Sequence, residues 1–179
     1  MNDIIKQLCN ANELVELYTN PDDNHNFEVG YIAACTDTEF LLHSFQENDL
    51  DDGYYVSRND SVFQIRHSTI YLKNMLQFIK PKPDKYDLPK GYWSELDLFQ
   101  VVLNLCQQER LIAVVRLECD LQFYGKVKEF SNEIVEFEEV DGNGMPDGTT
   151  FVRIEDIKLV GFGGLEENRR TKLEANQTR

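Results

Sequence analysis

Six carboxylates crowd into one short stretch of the second half of the chain. Paired carboxylates can act as general acid and general base in catalysis. In so dense a run, acidic side chains more often form the solvated face of a strand, and such a face can dock a basic partner. The six are Glu129, Glu133, Glu136, Glu138, Glu139 and Asp141. We therefore treat Glu133, Glu136, Glu138 and Glu139 as a candidate partner surface.

The segment from Asp141 to Gly148 carries oxygen-bearing side chains at alternate positions, as a calcium-binding loop does. However, Pro146 stands where such a loop needs glycine, and Val152 stands where it needs a bidentate glutamate. The composition therefore predicts a long hairpin loop, and no metal site is expected.

The histidines and cysteines form no recognisable catalytic or metal-binding pattern. His25, His43 and His67 lie in three different predicted elements, without the partners of a catalytic triad. No cysteine belongs to a Cys-x-x-Cys pair or has a histidine at ligand spacing. The cysteines are Cys9, Cys35, Cys106 and Cys119. We expect buried, reduced thiols, no cofactor, no metal and no enzymatic activity.

Two arginines, Arg58 and Arg153, each stand just before a predicted turn. A guanidinium in this position can face a ligand, which makes both residues candidate contacts. The alternative is an ion pair that orders the turn, for instance to Asp60 in the first case and Glu155 in the second. The sequence alone leaves both interpretations open.

The 179 residues carry a net charge of −14. So acidic a chain does not suit a protein whose whole surface follows a nucleic-acid backbone, because that affinity depends on Lys and Arg. It favours a basic protein partner. The start Met1-Asn2-Asp3 has no signal-peptide character, and no apolar run reaches the length of a membrane span. We expect a cytoplasmic protein without membrane contact.

Hydrophobic periodicity predicts two similar series of elements. The first is a helix over residues 3–11 with Asn2 as N-cap, followed by strands near 13–19, 27–34, 39–46, 53–58 and 61–66. The second is a helix capped by Ser94, followed by strands near 111–119, 121–129, 133–140, 149–153 and 156–161. Residues 71–79 are apolar and fit either a strand or a helix.

The two series match when the chain is shifted by 95 residues. Gly30 then falls on Gly125, Asp52 on Asp147 and Arg58 on Arg153. The preserved apolar register matters more than these identities, because a slip of one residue would turn a strand inside out. The pattern indicates an internal duplication.

The duplication predicts four segments. Residues 1–79 form the first copy and residues 94–164 the second. Residues 80–93 form an extended linker rich in proline and lysine, with Lys80, Lys82 and Lys85 as candidate partner contacts. Residues 165–179 are polar, and we expect a disordered tail.

A helix followed by five strongly bent antiparallel strands resembles the Sm-like (LSm/Hfq-type) small β-barrel. Residues 125–132 resemble the first motif of that family and residues 151–157 the second. The resemblance implies a mainly β fold with short helices, of α+β class. It would contain two tandem five-stranded antiparallel barrels, each preceded by a helix.

The same resemblance implies where a ligand would bind. Sm-like proteins hold RNA with an Asp/Asn loop after the second strand and an Arg-Gly between the last two strands. The first loop corresponds to Thr36 and Asp37 in one copy and to Ser131 and Asn132 in the other. The second loop offers Arg58 and Arg153, followed by Asn59 and Ile154 where the family has glycine. The fold is therefore expected to carry over better than the RNA-binding activity.

These patterns favour a non-enzymatic protein that binds another protein through its acidic surfaces or its edge strands. Binding of RNA, helped by the lysine-rich linker, is the alternative. An enzyme of unrecognised type is the third hypothesis, and it would need a deep pocket with perturbed carboxylates. Pairing of edge strands could also produce a homo-oligomer.

Overall fold

β-Strands dominate the computed structural model, which describes residues 1–22, 25–46, 50–79 and 85–177. The chain divides into two units. The first contains Met1–Asp52 and Ser57–Leu98, and the second contains Gly53–Val56 and Phe99–Arg179. A mainly β protein of α+β class, as predicted, is confirmed. No helix in the described ranges is long and apolar enough to cross a membrane.

The first unit begins with a helix and continues with antiparallel strands. In chain order its elements are α1 (Asn2–Ala11), β1 (Leu14–Tyr18), β2 (Glu28–Cys35), β3 (Glu39–Gln46), β4 (Leu50–Arg58), a 3-10 turn (Asn59–Ser61), β5 (Gln64–His67), α2 (Ile70–Met75) and β6 (Gly91–Tyr92). The strand order is β5-β1-β2-β3-β4, and the short β6 pairs in parallel with β2.

The second unit shows the same succession of elements. They are α3 (Leu98–Gln108), β7 (Ile112–Leu117), β8 (Gln122–Phe130), β9 (Ile134–Val140), β10 (Pro146–Arg153), a 3-10 turn (Ile154–Asp156), β11 (Ile157–Phe162) and α4 (Leu165–Gln177). The strand order is β10-β9-β8-β7-β11, and Gly53–Val56 of β4 lies beside β11. β10 therefore stands at the end of the order.

The strand order is open in each unit, so the closed barrels expected from the sequence are not present in the described residues. The reason lies in the 3-10 turns. Each turn carries the chain away from the strand before it, so that β5 pairs with β1 and β11 pairs with β7. A closed barrel would need the fourth and fifth strands of a unit to pair with each other.

The hydrophobic periodicity reappears in the buried side chains. In the first unit, Ile5 of α1 and Leu17, Ile32 and Phe40 of the strands are at most 1% exposed. In the second unit the fully buried large side chains include Phe99, Leu103, Phe137 and Phe162. Burial of such side chains provides most of the free energy of folding.

Gly30 lies in β2 where the neighbouring strand comes close. A Cβ atom at this position would lie 2.3 Å from the carbonyl oxygen of His43, so no other residue fits without a shift of the backbone. Gly125 occupies the same place in β8, where a Cβ would lie 2.9 Å from the carbonyl oxygen of Glu138. The register then shifts between Ile32 and Ala34, and likewise between Val127 and Glu129.

Both predicted helix caps are wrong. Met1, not Asn2, precedes α1, and the Asn2 side-chain amide instead donates to the carbonyl oxygen of Asp37 at 2.7 Å. The second helix begins at Leu98, four residues after Ser94, and the backbone N–H of Leu98 donates to the Glu39 carboxylate at 2.7 Å. In each case a partner distant in sequence takes the place of the local cap.

The polar C-terminal segment is a helix over Leu165–Gln177 and not a disordered tail. Contacts within the second unit hold it in place. Arg170 donates to the carbonyl oxygen of Asp141, and Lys126 forms an ion pair with Glu174. Of residues 71–79, which the sequence left between strand and helix, residues 71–75 lie in α2, whose N-cap Thr69 accepts the N–H of Leu72 at 3.2 Å through its hydroxyl.

Candidate functional site

In the first unit the two predicted ligand loops lie next to each other. The Thr36 hydroxyl accepts the N–H groups of Thr38 and Glu39 at 3.2 and 2.9 Å, which closes the β2–β3 turn. Asn59 then joins this turn to the end of β4. Its backbone N–H donates to the Thr38 carbonyl at 2.8 Å, and its side-chain amide donates to the Thr36 carbonyl at 3.1 Å. Arg58 directly precedes this bridge and is half-buried.

Asp37 is engaged by other parts of the same unit. Its carboxylate accepts the Tyr92 hydroxyl at 3.0 Å and lies 3.7 Å from the Lys6 ammonium. Lys6 also lies 3.3 Å above the Tyr92 ring. The hydrogen bond with Tyr92 raises the pKa of Lys6 above its usual value. These contacts direct Asp37 toward α1 and β6, which the sequence did not predict.

The corresponding turn of the second unit repeats the backbone arrangement. The Ser131 hydroxyl accepts the N–H groups of Glu133 and Ile134 at 3.2 and 3.1 Å. Ile154 N–H donates to the Glu133 carbonyl at 2.8 Å, as Asn59 does in the first unit. Asn132 is exposed and contacts Gln100 at 3.4 Å. The predicted loops therefore come together in both units.

Arg153 forms ion pairs with its own turn. Its guanidinium lies 3.1 Å from Glu155 and 2.8 Å from Asp156, and its side chain is 65% exposed. The ion pair with Glu155 is one of the two alternatives left open by the sequence. Two carboxylates at this distance compete with any phosphate for the same guanidinium.

The carboxylates of β9 have different surroundings. Glu138 forms an ion pair with Lys128 at 3.0 Å, and Glu133 is exposed at the turn. Glu136 lies directly opposite Glu129 of β8 on one side and opposite Phe151 of β10 on the other. Within the acidic run, Glu138 is therefore neutralised by an ion pair, whereas Glu136 faces another carboxylate.

The lysine-rich linker is described only in part. Lys80 and Lys82 lie outside the described residues. Lys85 is exposed, and its ammonium lies 5.0 Å from the centre of the Tyr86 ring.

The loop after β9 is the hairpin turn that the sequence predicts, because Val140 and Pro146 pair across it. The Asp141 carboxylate accepts the N–H groups of Asn143 and Met145 at 2.8 and 2.9 Å. These two backbone N–H groups lower the pKa of Asp141. No group of three His, Cys, Asp or Glu side chains suited to a metal ion occurs in the described ranges.

Three of the four cysteines are buried as expected, whereas Cys119 is exposed. The Cys9 and Cys35 thiols are hydrogen-bonded to each other, which lowers the pKa of Cys9 and raises that of Cys35. Burial raises the pKa of Cys106. The prediction of uniformly buried thiols is wrong for Cys119 because it lies in the tight turn after β7.

One feature that the sequence analysis did not predict is a groove beside β10, which we call the β10 groove. Its volume is about 570 Å³. Leu117, Leu121, Gln122, Phe123, Glu139, Thr150, Phe151, Val152, Arg153 and Asp156 line it. The alternation at the end of β10, with buried Val152 beside exposed Phe151, is the sequence signal that could have indicated it.

No protein-family profile matches the chain, and no curated protein sequence matches it significantly.

Proposed function

We propose that this chain is a non-enzymatic protein-interaction molecule that binds an extended segment of a partner protein along the edge of β10. One observation carries the proposal. β10 is the last strand in the order, with only β9 as its neighbour in the described part of the chain, and it borders the β10 groove. The edge of a strand presents unpaired N–H and C=O groups to an incoming strand.

Exposed apolar side chains accompany this edge. Phe151 is 68% exposed, Leu121 54% and Ile134 45%. Ile134 pairs with Arg153, so it lies diagonally adjacent to Phe151 across the two strands. Apolar side chains grouped in this way lose unfavourable contact with water when a partner covers them, and such a patch is typical of an interaction surface.

A protein partner is favoured over RNA by the charges around the candidate loops. Arg153 already has two carboxylate partners, at 3.1 and 2.8 Å, and Asp37 faces a lysine of its own unit. An RNA backbone would have to displace these carboxylates and overcome a net charge of −14.

The proposal includes an origin of both units by duplication of an Sm-like module. Its support is the shared succession of one helix, five strands and a 3-10 turn before the fifth strand. In each unit the fifth strand pairs with the first, and a glycine in the second strand is followed by a register shift. A tandem protein with degraded RNA loops is free to use its edge strands for proteins instead.

The test is retention of proteins from an extract of the cells that produce the chain. We compare the wild-type chain with Phe151→Asp and with the control Phe78→Asp, which changes a side chain that is 59% exposed in the first unit. We expect one set of proteins to be retained by the wild type and by Phe78→Asp and lost with Phe151→Asp, with cross-links to β10.

Equal retention by all three chains would overturn the proposal. Retention that disappears after ribonuclease treatment would assign the surface to RNA.

A further inference from the structure

We infer that the β10 edge selects a partner segment in which basic and apolar side chains alternate. This inference rests on the proposed function and specifies the chemistry of its partner. Side chains of a strand point alternately to opposite faces of the sheet, so a segment added to β10 meets two different surfaces. One is the face of β10 that carries Thr150 and Val152 in the β10 groove, and the other is the face that carries Glu136 and Phe151, a residue that also borders the groove.

The β10 groove accepts apolar side chains. Leu117, Leu121 and Phe123 line it together with Val152, which lies on β10 itself. Glu139 also lines the groove, and it is half-buried without an ion-pair partner among the described residues. An aliphatic side chain fits this lining, whereas a carboxylate would meet Glu139 at low dielectric.

The other face favours a cation. Glu129 and Glu136 are direct cross-strand neighbours, and neither has an ion-pair partner in the described ranges. Like charges opposite each other destabilise a sheet. Lys128 does not relieve this repulsion, because it is paired with Glu138. A positive charge placed beside Glu136 would relieve it.

Phe151 connects this acidic pair to the strand edge, since it lies between Glu136 and the position that an incoming residue would take. A Lys or Arg side chain opposite Phe151 can cover the exposed ring with its aliphatic stem and hold its charge over the ring, toward Glu136. A residue of this kind therefore satisfies two exposed features together. The next residue of the segment then points into the β10 groove.

The experiment uses three labelled peptides and the full chain, with fluorescence anisotropy as the measurement. The first peptide is acetyl-Lys-Val-Arg-Leu-Lys-Val-Arg-amide. The second has Glu and the third has Ser at each basic position. We expect the basic peptide to bind at least about tenfold more tightly than either of the others, a difference of about 1.4 kcal/mol.

The chain variants locate the preference. Glu129→Gln combined with Glu136→Gln should weaken binding of the basic peptide several-fold and leave binding of the Ser peptide unchanged. The control pair, Glu95→Gln with Glu109→Gln, removes the same charge from two exposed sites away from β9 and β10 and should change neither. An equal effect of both pairs would show that only net charge matters and would overturn the inference.

Backbone methylation separates the inference from the proposed function. In an antiparallel or parallel pair only alternate N–H groups of the added strand face β10. Methylating one alternate set should abolish binding, and methylating the other should not. If both sets are tolerated, strand pairing fails and the proposed function with it.

The remaining outcomes are also decisive. If the Ser and Glu peptides bind as tightly as the basic peptide, with the same methylation pattern, the proposed function stands and the inference is overturned. If no peptide binds, the inference is overturned. If the chain self-associates through an edge that Phe151→Asp disrupts, the occupant is a second copy and the inference is overturned.

Discussion

At the scale of single residues, Glu16 is a buried carboxylate of the first unit with several partners. Its side chain is 1% exposed. It accepts hydrogen bonds from Tyr18 at 3.0 Å and Thr69 at 2.5 Å, and Arg66 lies 3.1 Å away. These residues belong to β1, to β5 and to the N-cap of α2. One buried charge thus joins three elements.

Glu16→Gln should destabilise the chain by about 1–3 kcal/mol, because Arg66 and the two hydroxyls lose their anionic acceptor inside the protein. The measurement is the urea midpoint of unfolding, followed by tryptophan fluorescence and circular dichroism. Glu13→Gln is the matched control. Glu13 forms an exposed pair with His67 at 3.0 Å, and its loss should cost less than about 0.5 kcal/mol. Equal effects would contradict a special role for Glu16.

Gly30→Ala should destabilise by about 1–3 kcal/mol, since the added methyl group must displace the carbonyl of His43 or the Leu42 side chain. Gly142→Ala is the control, because a Cβ there has no atom within 4 Å. Thermal unfolding of both variants gives the comparison. A Gly30 variant as stable as the control would mean that β2 and β3 can separate at this point.

At the scale of elements, the strands were predictable and the caps were not. The period-two pattern located β3 within the observed bounds, and β9 to within one residue, because burial of one face determines register. Asn2 and Ser94 have good local chemistry for N-caps, yet Asp37 and Glu39 determine the outcome from distant positions. A single sequence does not contain those contacts.

Part of the candidate site was predictable from the sequence and part was not. The resemblance to Sm-like proteins pointed to Thr36 with Arg58 and to Ser131 with Arg153, and the structure brings these turns together. The β10 groove depends on which strand ends the order, and that follows from tertiary pairing alone.

The β9–β10 hairpin has a pH dependence of its own. Its turn depends on the Asp141 carboxylate, whose lowered pKa shows that the folded chain prefers the charged form. A group of this kind stabilises above its unfolded pKa of about 3.9 and loses the effect as pH falls through the lower folded value. Asp141→Ala should therefore unfold at lower urea than the wild type at pH 7, and this difference should close in acid below about pH 3.9.

Asp147→Ala is the control for that comparison, since Asp147 is exposed at the start of β10. Its urea midpoint should follow the wild type throughout the titration. A gap between Asp141→Ala and the wild type that stays constant as the pH falls from about 7 into acid would contradict the role of the charge.

At the scale of the whole molecule, a net charge of −14 acts over distances longer than any single contact. Such a charge attracts cationic partners and accelerates their encounter, and salt screens it with a Debye length of about 10 Å at 0.1 M. The net charge therefore attracts a basic segment before contact, and Glu136 favours the same segment once it is bound.

Association of the basic peptide should accordingly slow at least fivefold between about 50 and 500 mM salt, with a smaller change in its dissociation rate. Stopped-flow anisotropy measures both rates. The Ser peptide should associate at a rate nearly independent of salt. A salt-independent rate for the basic peptide would show that long-range attraction plays no part.

The register shift in β10 between Pro146 and Thr149 leaves only Thr149 to Arg153 in regular alignment with β9. At about 3.4 Å per residue, this edge is about 17 Å long. A segment of about five residues occupies all of it and shows only two or three side chains to either face. So short a motif carries little information and recurs by chance in unrelated proteins. The set of proteins retained through this edge should therefore contain several unrelated members that share the motif and compete for the same site.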